Sequence, residues 1–226
     1  MESQRRISVP IDEARELALV RAIQGGDTSA WAELLTRYQD RLFGVCLRMV
    51  GDRDRAADYT QDAMVRIIEG LASYDGRAKL STWVIRVTMN VCFSRLRAEK
   101  LRRHASLDSG HGGQNGSEGR GRARSASDRA EDFDPREHGG VARVEHEELR
   151  RHLAEALLRI SPEQRAILVL RDSRGLEYEQ IAEVLDVPVG TVKSRLFRAR
   201  AALREVLEGM GSGAERAEAG GRTDGN

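Results

Sequence analysis

The chain has 226 residues, 40% hydrophobic and 4% aromatic, with a formal net charge of +1. That length suits two small domains, and the near-neutral balance excludes a uniformly basic nucleic-acid coat, so any DNA binding must rest on local patches. No apolar run approaches the roughly 18 residues of a membrane span, so neither a signal peptide nor a membrane insertion is expected.

Residues 1–10 read as a disordered terminus. A weakly patterned helix follows over Asp12 to Gln24. Asp27 or Thr28 then caps a long helix in which Trp31, Leu34, Leu35, Tyr38, Leu42, Val45, Cys46 and Met49 form one stripe. Gly51 ends it, and Asp52 or Asp54 starts the next. There Ala57, Thr60, Met64, Ile67, Ile68 and Leu71 are expected inside, with Asp58, Gln61, Asp62, Arg66 and Glu69 outside. Ser73–Ala78 reads as a loop. A fourth helix from about Leu80 to Lys100 has Leu80, Trp83, Val84, Val87 and Val91 on one apolar side, widened by Ile85, Met89, Cys92 and Leu96. Lys79, Arg86, Asn90 and Arg97 recur on its polar stripe.

From about Ser106 to Gly140 the composition changes to glycine and polar residues, which cannot bury enough apolar surface to offset chain entropy. A flexible linker over 106–143 is therefore expected, net acidic over Asp128–Glu137. The second domain starts near Val144, where Leu149, Leu153, Leu157 and Ile160 begin a stripe. Ser161-Pro162-Glu163-Gln164 is a helix start: serine caps, proline suits the first turn, and Gln164 completes a capping box. Gly175 is a stop. Tyr178, Ile181, Ala182 and Leu185 form the inner face of a short helix from about Glu177, and Asp186–Gly190 holds a turn. Two local rules are broken, because Glu177 is a weaker cap than serine and Asp186 stands where glycine best tolerates a left-handed backbone. The last helix buries Val192, Leu196, Ala199 and Leu203, and shows Thr191, Lys193, Ser194, Arg195, Phe197, Arg198 and Arg200 on its other face. This is a helix-turn-helix with a basic open face, the arrangement that enters a DNA major groove. The segment after Glu208 reads as a disordered tail.

The predicted fold class is therefore all-α: two small helical domains, residues 11–105 and 144–208, joined by a flexible linker and expected to move independently, with a tail over 209–226. No enzyme emerges. HGGQNG lacks the Gly-Lys-Ser/Thr ending of a phosphate loop, and the five histidines show no metal-ligand spacing, so no catalytic residue, metal or cofactor is expected. Cys46 and Cys92 lie on apolar faces, far apart in sequence. They read as buried free thiols of a reducing cytoplasm, with a redox switch as the minor alternative.

The string GLEYEQIAEVLDVPVGTVKSRLFRAR, 175–200, resembles GLSYEEIAEVLGVPVGTVKSRLFRAR of region 4 in the extracytoplasmic-function (group 4) sigma factors of bacterial RNA polymerase. QDAMVRIIEGL and TWVIRVTMNVCFSRLR resemble that family's region 2 strings QDVFLRVWRNL and TWLYRIARNLALDLLRR, in the right order. Together the matches span roughly 150 of the 226 residues.

What the resemblance implies is specific. Region 2 would dock on the clamp coiled coil of the largest core-polymerase subunit through Asp58, Gln61 and Asp62, and hold the melted −10 strand with Asp75, Gly76, Lys79, Arg86, Asn90 and Arg97. Region 4 would sit on the flap of the second-largest subunit. Its last helix would read the −35 element through Thr191, Lys193, Ser194, Arg195, Phe197, Arg198 and Arg200. Lys193, Ser194, Phe197 and Arg198 are the base-edge candidates; Thr191, Arg195 and Arg200 are the phosphate candidates. Trp83 matches a family tryptophan, yet reads as core before stacking platform. The linker would thread toward the active-site cleft or act as a tether. Promoter DNA and core polymerase are the implied partners, with an anti-sigma factor common in the family though no segment marks one. The implied place is the cytoplasm, at the nucleoid. The alternative function is a helix-turn-helix transcription regulator that is not a polymerase subunit.

Overall fold

The computed structural model describes residues 13–108 and 140–220, with side chains over 13–105 and 148–210. The described residues form eight α-helices and no strand. They are α1 (Glu13–Gln24), α2 (Ser29–Val50), α3 (Arg53–Gly70), α4 (Leu80–Asp108), α5 (Gly140–Arg159), α6 (Pro162–Leu168), α7 (Tyr178–Leu185) and α8 (Val189–Gly220). A single 3₁₀ turn, Leu71–Ser73, follows α3, and a π-helical turn, Val169–Ser173, follows α6.

The helix boundaries follow from capping chemistry. Asp27 Oδ1 accepts the Ser29 N–H at 2.9 Å at the entry of α2. Gly51 takes the left-handed backbone that closes α2, with φ 72°, and Asp52 caps α3 by accepting the Arg55 N–H at 2.8 Å. The capping box at Ser161 forms in both directions, Gln164 N–H to Ser161 Oγ and Ser161 N–H to Gln164 Oε1, each 3.2 Å. Asp186 does adopt the left-handed conformation, φ 53°, between α7 and α8.

The stripe expected on α2 is the one buried: Leu34, Tyr38, Leu42, Val45, Cys46 and Met49 are all core. Each fully buried leucine or methionine contributes roughly 1.5–3 kcal/mol. On α4, Leu80, Val84, Ile85, Met89 and Cys92 are buried, and the half-buried Trp83 packs on Tyr74 with ring centroids 5.4 Å apart. Cys46 and Cys92, 46 positions apart, meet in this core with their sulfurs 3.9 Å apart. The neighbouring sulfur and burial push the Cys92 thiol up.

Several expectations need correction. The inner face of α3 consists of Ala56, Tyr59, Thr60, Ala63 and Ile67, while Ala57 and Ile68 are exposed. Thr60, Ile67 and Leu71 are buried as expected and Met64 is half-buried, but small Ala56 and Ala63 and the amphipathic Tyr59, which carry little apolar signal, complete the face. On α5, Leu157 and Ile160 pack inward as expected, but Leu149 and Leu153 are exposed and Ala156 is buried. Helix α4 runs on to Asp108, α5 begins at Gly140 rather than Val144, and α8 continues to Gly220, well past Glu208. The linker from 109 to 139, with its arginines Arg120, Arg122 and Arg124, lies outside the described residues, as do 1–12.

The expectation of two separately packed domains meets a different finding. Buried residues of both halves form one continuous core, with α6 and α7 lying against α4, and α5 and α6 against the end of α2. Arg165 is the joint. It is 6% exposed, and its guanidinium donates to the carbonyls of Leu157 at 2.8 Å, Leu158 at 2.9 Å and Ile160 at 3.2 Å, and also to that of Met49. These carbonyls come from the C-terminal ends of α5 and α2, where four per helix lack intrahelical partners. Beside this joint the Leu158 side chain sits over Gly51 so closely that a Cβ there would meet its Cδ1 at 2.2 Å. Arg165 to Leu170 are buried without interruption, which is why this stretch shows no amphipathic period.

Two outcomes are expected. Arg165→Met strands buried carbonyls from two helix ends, so urea denaturation should show a loss of about 2–4 kcal/mol; a loss within experimental error would mean water replaces the guanidinium freely. Glu16, 3% exposed, accepts the Tyr38 hydroxyl at 2.6 Å, and burial raises its pKa above the ordinary glutamate value. The folded chain therefore binds this proton more tightly than the unfolded chain. The stability so gained is full below the ordinary value and is lost as pH rises through the raised one. Glu16→Gln keeps an acceptor for Tyr38 without titrating, so its Tm relative to the parent should rise between about pH 4 and about pH 7. A constant difference across that range would refute the raised pKa.

Candidate nucleic-acid interface

The turn between α7 and α8 is tied by Val187 N–H to Ala182 O at 3.0 Å and Thr191 N–H to Pro188 O at 2.8 Å. Val192, Leu196 and Ala199 are buried, and that burial fixes which way the rest of α8 points. Lys193, Ser194, Arg195, Phe197, Arg198 and Arg200 are exposed as expected, while Thr191 is half-buried. Phe197 is 77% exposed, an unusual position for a phenylalanine with no partner surface.

The polar groups of α8 are not equally free. Arg200 Nη2 donates to Asp172 Oδ1 at 2.6 Å, and this bond raises its pKa. Ser194 Oγ donates to Thr191 O at 3.0 Å. The Lys193 ammonium lies 5.9 Å from the Tyr178 ring centroid, and Arg171 lies 5.0 Å from the same ring. None of the described ion pairs involves Lys193, Arg195 or Arg198.

In the first half, Tyr74 anchors the loop before α4 by donating to Ala78 O at 2.5 Å. Asp75 Oδ2 pairs with Arg77 Nε at 3.1 Å, and Gly76 has φ 75° with open space where a Cβ would stand. Lys79 is ion-paired with Glu13. Arg86 is half-buried, and Asn90 and Arg97 are exposed. On the outer face of α3, Asp58 and Gln61 are exposed, but Asp62 is half-buried and accepts from Arg95 Nε at 2.6 Å. Exposed Val65 and Ile68 share that face, so it is acidic and apolar together. An α3 stripe that included Ala56, Tyr59 and Ala63 would have found both.

The structure brings together residues that sequence reasoning assigned to different surfaces. Asn90, Phe93, Ser94 and Arg97 of α4 line one cleft with Glu163, Leu185 and Arg195, about 380 Å³ in volume. Asn90 and Arg97 were −10 candidates and Arg195 a −35 candidate. Glu163 and Leu185 drew attention only as helix-start and inner-face residues. Among the described residues no cluster of three or more His, Cys, Asp or Glu could hold a metal, and no helix is long and apolar enough to cross a membrane.

An all-α chain with a helix-turn-helix, unpaired cations on its last helix and a second polar helix surface defines a DNA-reading protein of two regions. Comparisons with known proteins agree. Residues 34–102 match Sigma-70 region 2, and residues 150–203 match Sigma-70, region 4. The RNA polymerase sigma-H factor of Pseudomonas aeruginosa (strain PAO1) is 30% identical over 88% of this chain and 96% of its own length. The ECF RNA polymerase sigma factor SigW of Bacillus subtilis (strain 168) is 29% identical over 84% of this chain and 96% of its own. The fold is shared with the sigma factor RpoE of Bartonella quintana, solved in complex with the anti-sigma factor NepR, at a TM-score of 0.54 and 22% identity over 78% of this chain and 96% of that one. The chain belongs to the ECF RNA polymerase sigma factors. The alternative of a regulator that is not a polymerase subunit is not favoured, since region 2 occupies the half that a receiver or ligand domain would need.

Proposed function

We propose that this sigma factor directs promoter-specific initiation by dividing recognition between two helices. Helix α8 reads the −35 element, while α4 and the loop before it hold the melted −10 strand. The observation that carries the reading is the exposed face of α8, where Lys193, Arg195, Arg198 and Phe197 stand outward without ion-pair partners. Lys193, Ser194, Phe197 and Arg198 contact base edges; Thr191 and Arg195 hold phosphates, and Arg200 joins them once released from Asp172.

The outer face of α3 docks on the clamp coiled coil of the largest core subunit. Asp58, Gln61 and Asp62 supply polar contacts, and exposed Val65 and Ile68 add the apolar area that a stable interface needs. Region 4 sits on the flap of the second-largest subunit. The polymerase is the catalyst, and this chain supplies specificity without chemistry of its own, in the cytoplasm at the nucleoid. An anti-sigma factor is a candidate regulator, as NepR is for the Bartonella protein it was solved with. The boundaries 11–105 and 144–208 serve as the two working regions.

Two experiments test this division. Lys193→Ala or Arg198→Ala should cost about 1–3 kcal/mol in a promoter-sequence-dependent way if the side chain makes a bidentate base contact. Arg195→Ala should weaken all sequences alike and reduce the salt slope by about one. Identical, sequence-independent losses would reverse these roles. Separately, Arg86 and Asn90 stand one turn apart on α4 and can reach one strand. The double variant Arg86→Ala, Asn90→Ala should still bind core polymerase but fail to open paired DNA, and a pre-melted −10 template should restore much of its activity, because the unpairing cost of a few kcal/mol per base is removed. Normal permanganate reactivity of −10 thymines on paired DNA with this variant would place the melting surface elsewhere.

A further inference from the structure

Cys46 and Cys92 are the two cysteines of the chain, and the promoter-reading surfaces use neither. Both are wholly buried, one on α2 and one on α4, and those helices pack directly on each other. Two buried thiols placed apart would need no account beyond that of small apolar side chains. These two are in contact. The Cys92 S–H is aimed at the Cys46 sulfur, 3.9 Å away, across 46 positions of chain. Their surroundings also differ. The hydrogen bond from Cys92, with the Thr60 side chain beside it, holds the Cys46 thiol below its ordinary range against the effect of burial. The neighbouring sulfur and burial push the Cys92 thiol the other way. One sulfur therefore ionises more readily, and the second keeps its proton and faces it. That is the arrangement of an attacking and a resolving thiol.

We propose that Cys46 and Cys92 form a modification site for hydroperoxides, which close the pair reversibly into a disulfide that staples α2 to α4. The Cys46 thiolate attacks one oxygen of the peroxide and the O–O bond breaks. The sulfur becomes a sulfenic acid, and the other oxygen leaves as water or an alcohol with the proton that Cys46 gave up. The Cys92 sulfur then attacks the sulfenic sulfur, its proton departs with the hydroxyl as water, and the S–S bond forms. Two thiols and one hydroperoxide thus give one disulfide, one water and one alcohol, or two waters from hydrogen peroxide. A dithiol reductant returns both thiols by exchange. The bond needs sulfurs about 2.05 Å apart, and turning each thiol about its Cα–Cβ bond, with a small shift of the two helices, supplies the approach from 3.9 Å. Neither sulfur is exposed, so the oxidant enters by local opening of the core, and a water-sized peroxide needs only a small one. The loop that the bond closes holds the whole of α3, the turn after it and α4 up to Cys92. A cross-link there removes freedom from the unfolded chain and so stabilises the folded region 2.

The test uses the full chain, freed of reductant. It is treated while folded with hydrogen peroxide, quenched with catalase, unfolded in urea and alkylated with excess iodoacetamide. The untreated chain should take a label on each cysteine and the treated chain none, and a digest should yield a cross-linked peptide pair joining Cys46 to Cys92. Dithiothreitol, added in urea before alkylation, should restore both labels. The urea midpoint of the oxidised chain should lie above that of the reduced chain by about 1 M. Under the same peroxide treatment Cys92→Ser should form a dimedone adduct at Cys46, and Cys46→Ser far less at Cys92. Both labels on the treated parent chain, or sulfinic and sulfonic acids or a covalent dimer in place of the internal cross-link, would overturn the site, and none of these results depends on a variant folding. Labels that dithiothreitol does not restore would overturn its reversibility. An equal or lower midpoint would overturn the staple, and a dimedone adduct favouring Cys92 would overturn the roles given to the two sulfurs.

Discussion

An arginine taken out of water must find negative charge, and Arg165 finds it without a carboxylate. Its partners are carbonyls at two helix ends, Met49 near the end of α2 and Leu157, Leu158 and Ile160 at the end of α5. Each helix C-terminus carries roughly half a negative charge in unsatisfied carbonyls, so two converging ends together approach the charge of one anion. Burial still pushes the Arg165 pKa below its ordinary value, and the nearby Arg55 adds to that. The geometry has a consequence for everything after it. Two helix ends from separate halves must meet at one point, and α6, which carries Arg165, must enter the core there. Ala166 to Leu170 are buried on every side as a result.

From α6 onward, position is passed along by packing. Helix α8 crosses α6 and α7 with Val192, Leu196 and Ala199 inward, and this alone turns Lys193, Arg195 and Arg198 outward. The turn before α8 needs a left-handed residue, and Asp186 takes that conformation at φ 53°, a cost of roughly 1–2 kcal/mol for a residue with a Cβ. Asp is among the side chains that tolerate it best, which makes the missing glycine survivable. Asp172, in the π-helical turn, ties down Arg200 by accepting from its guanidinium at 2.6 Å.

What the sequence made legible follows from how strong each local signal is. The α2 stripe, the Ser161 capping box, the Gly51 and Gly175 stops, the inner face of α8 and, Val184 apart, that of α7 could be read, because each rests on residue chemistry within one turn. The full inner face of α3 could not, since alanines and a tyrosine complete it. The meeting of Cys46 with Cys92 and the bond from Arg165 to Met49 span 46 and 116 positions, and no local pattern encodes contacts of that range. The candidate DNA residues of α8 are exposed as expected, apart from the half-buried Thr191. The nearness of Arg195 to Asn90 and Arg97 was invisible, because it depends on how the halves dock.

The charge pattern also bears on why such a chain would work as a subunit rather than alone. Arg15 pairs with Glu33, Arg55 with Glu99, Arg95 with Asp62 and Arg200 with Asp172. Exposed pairs of this kind add at most about 1 kcal/mol each to stability, but every one removes a cation from the pool that attracts phosphate. On α8 this leaves Lys193, Arg195, Arg198 and Arg204. If all four met phosphates, the dependence of binding on salt would have a slope of about −3.6. The attraction that α8 offers a promoter is therefore local, on a chain whose net charge is only +1. Such a patch suits a subunit of RNA polymerase, as the sigma factors to which this chain belongs are.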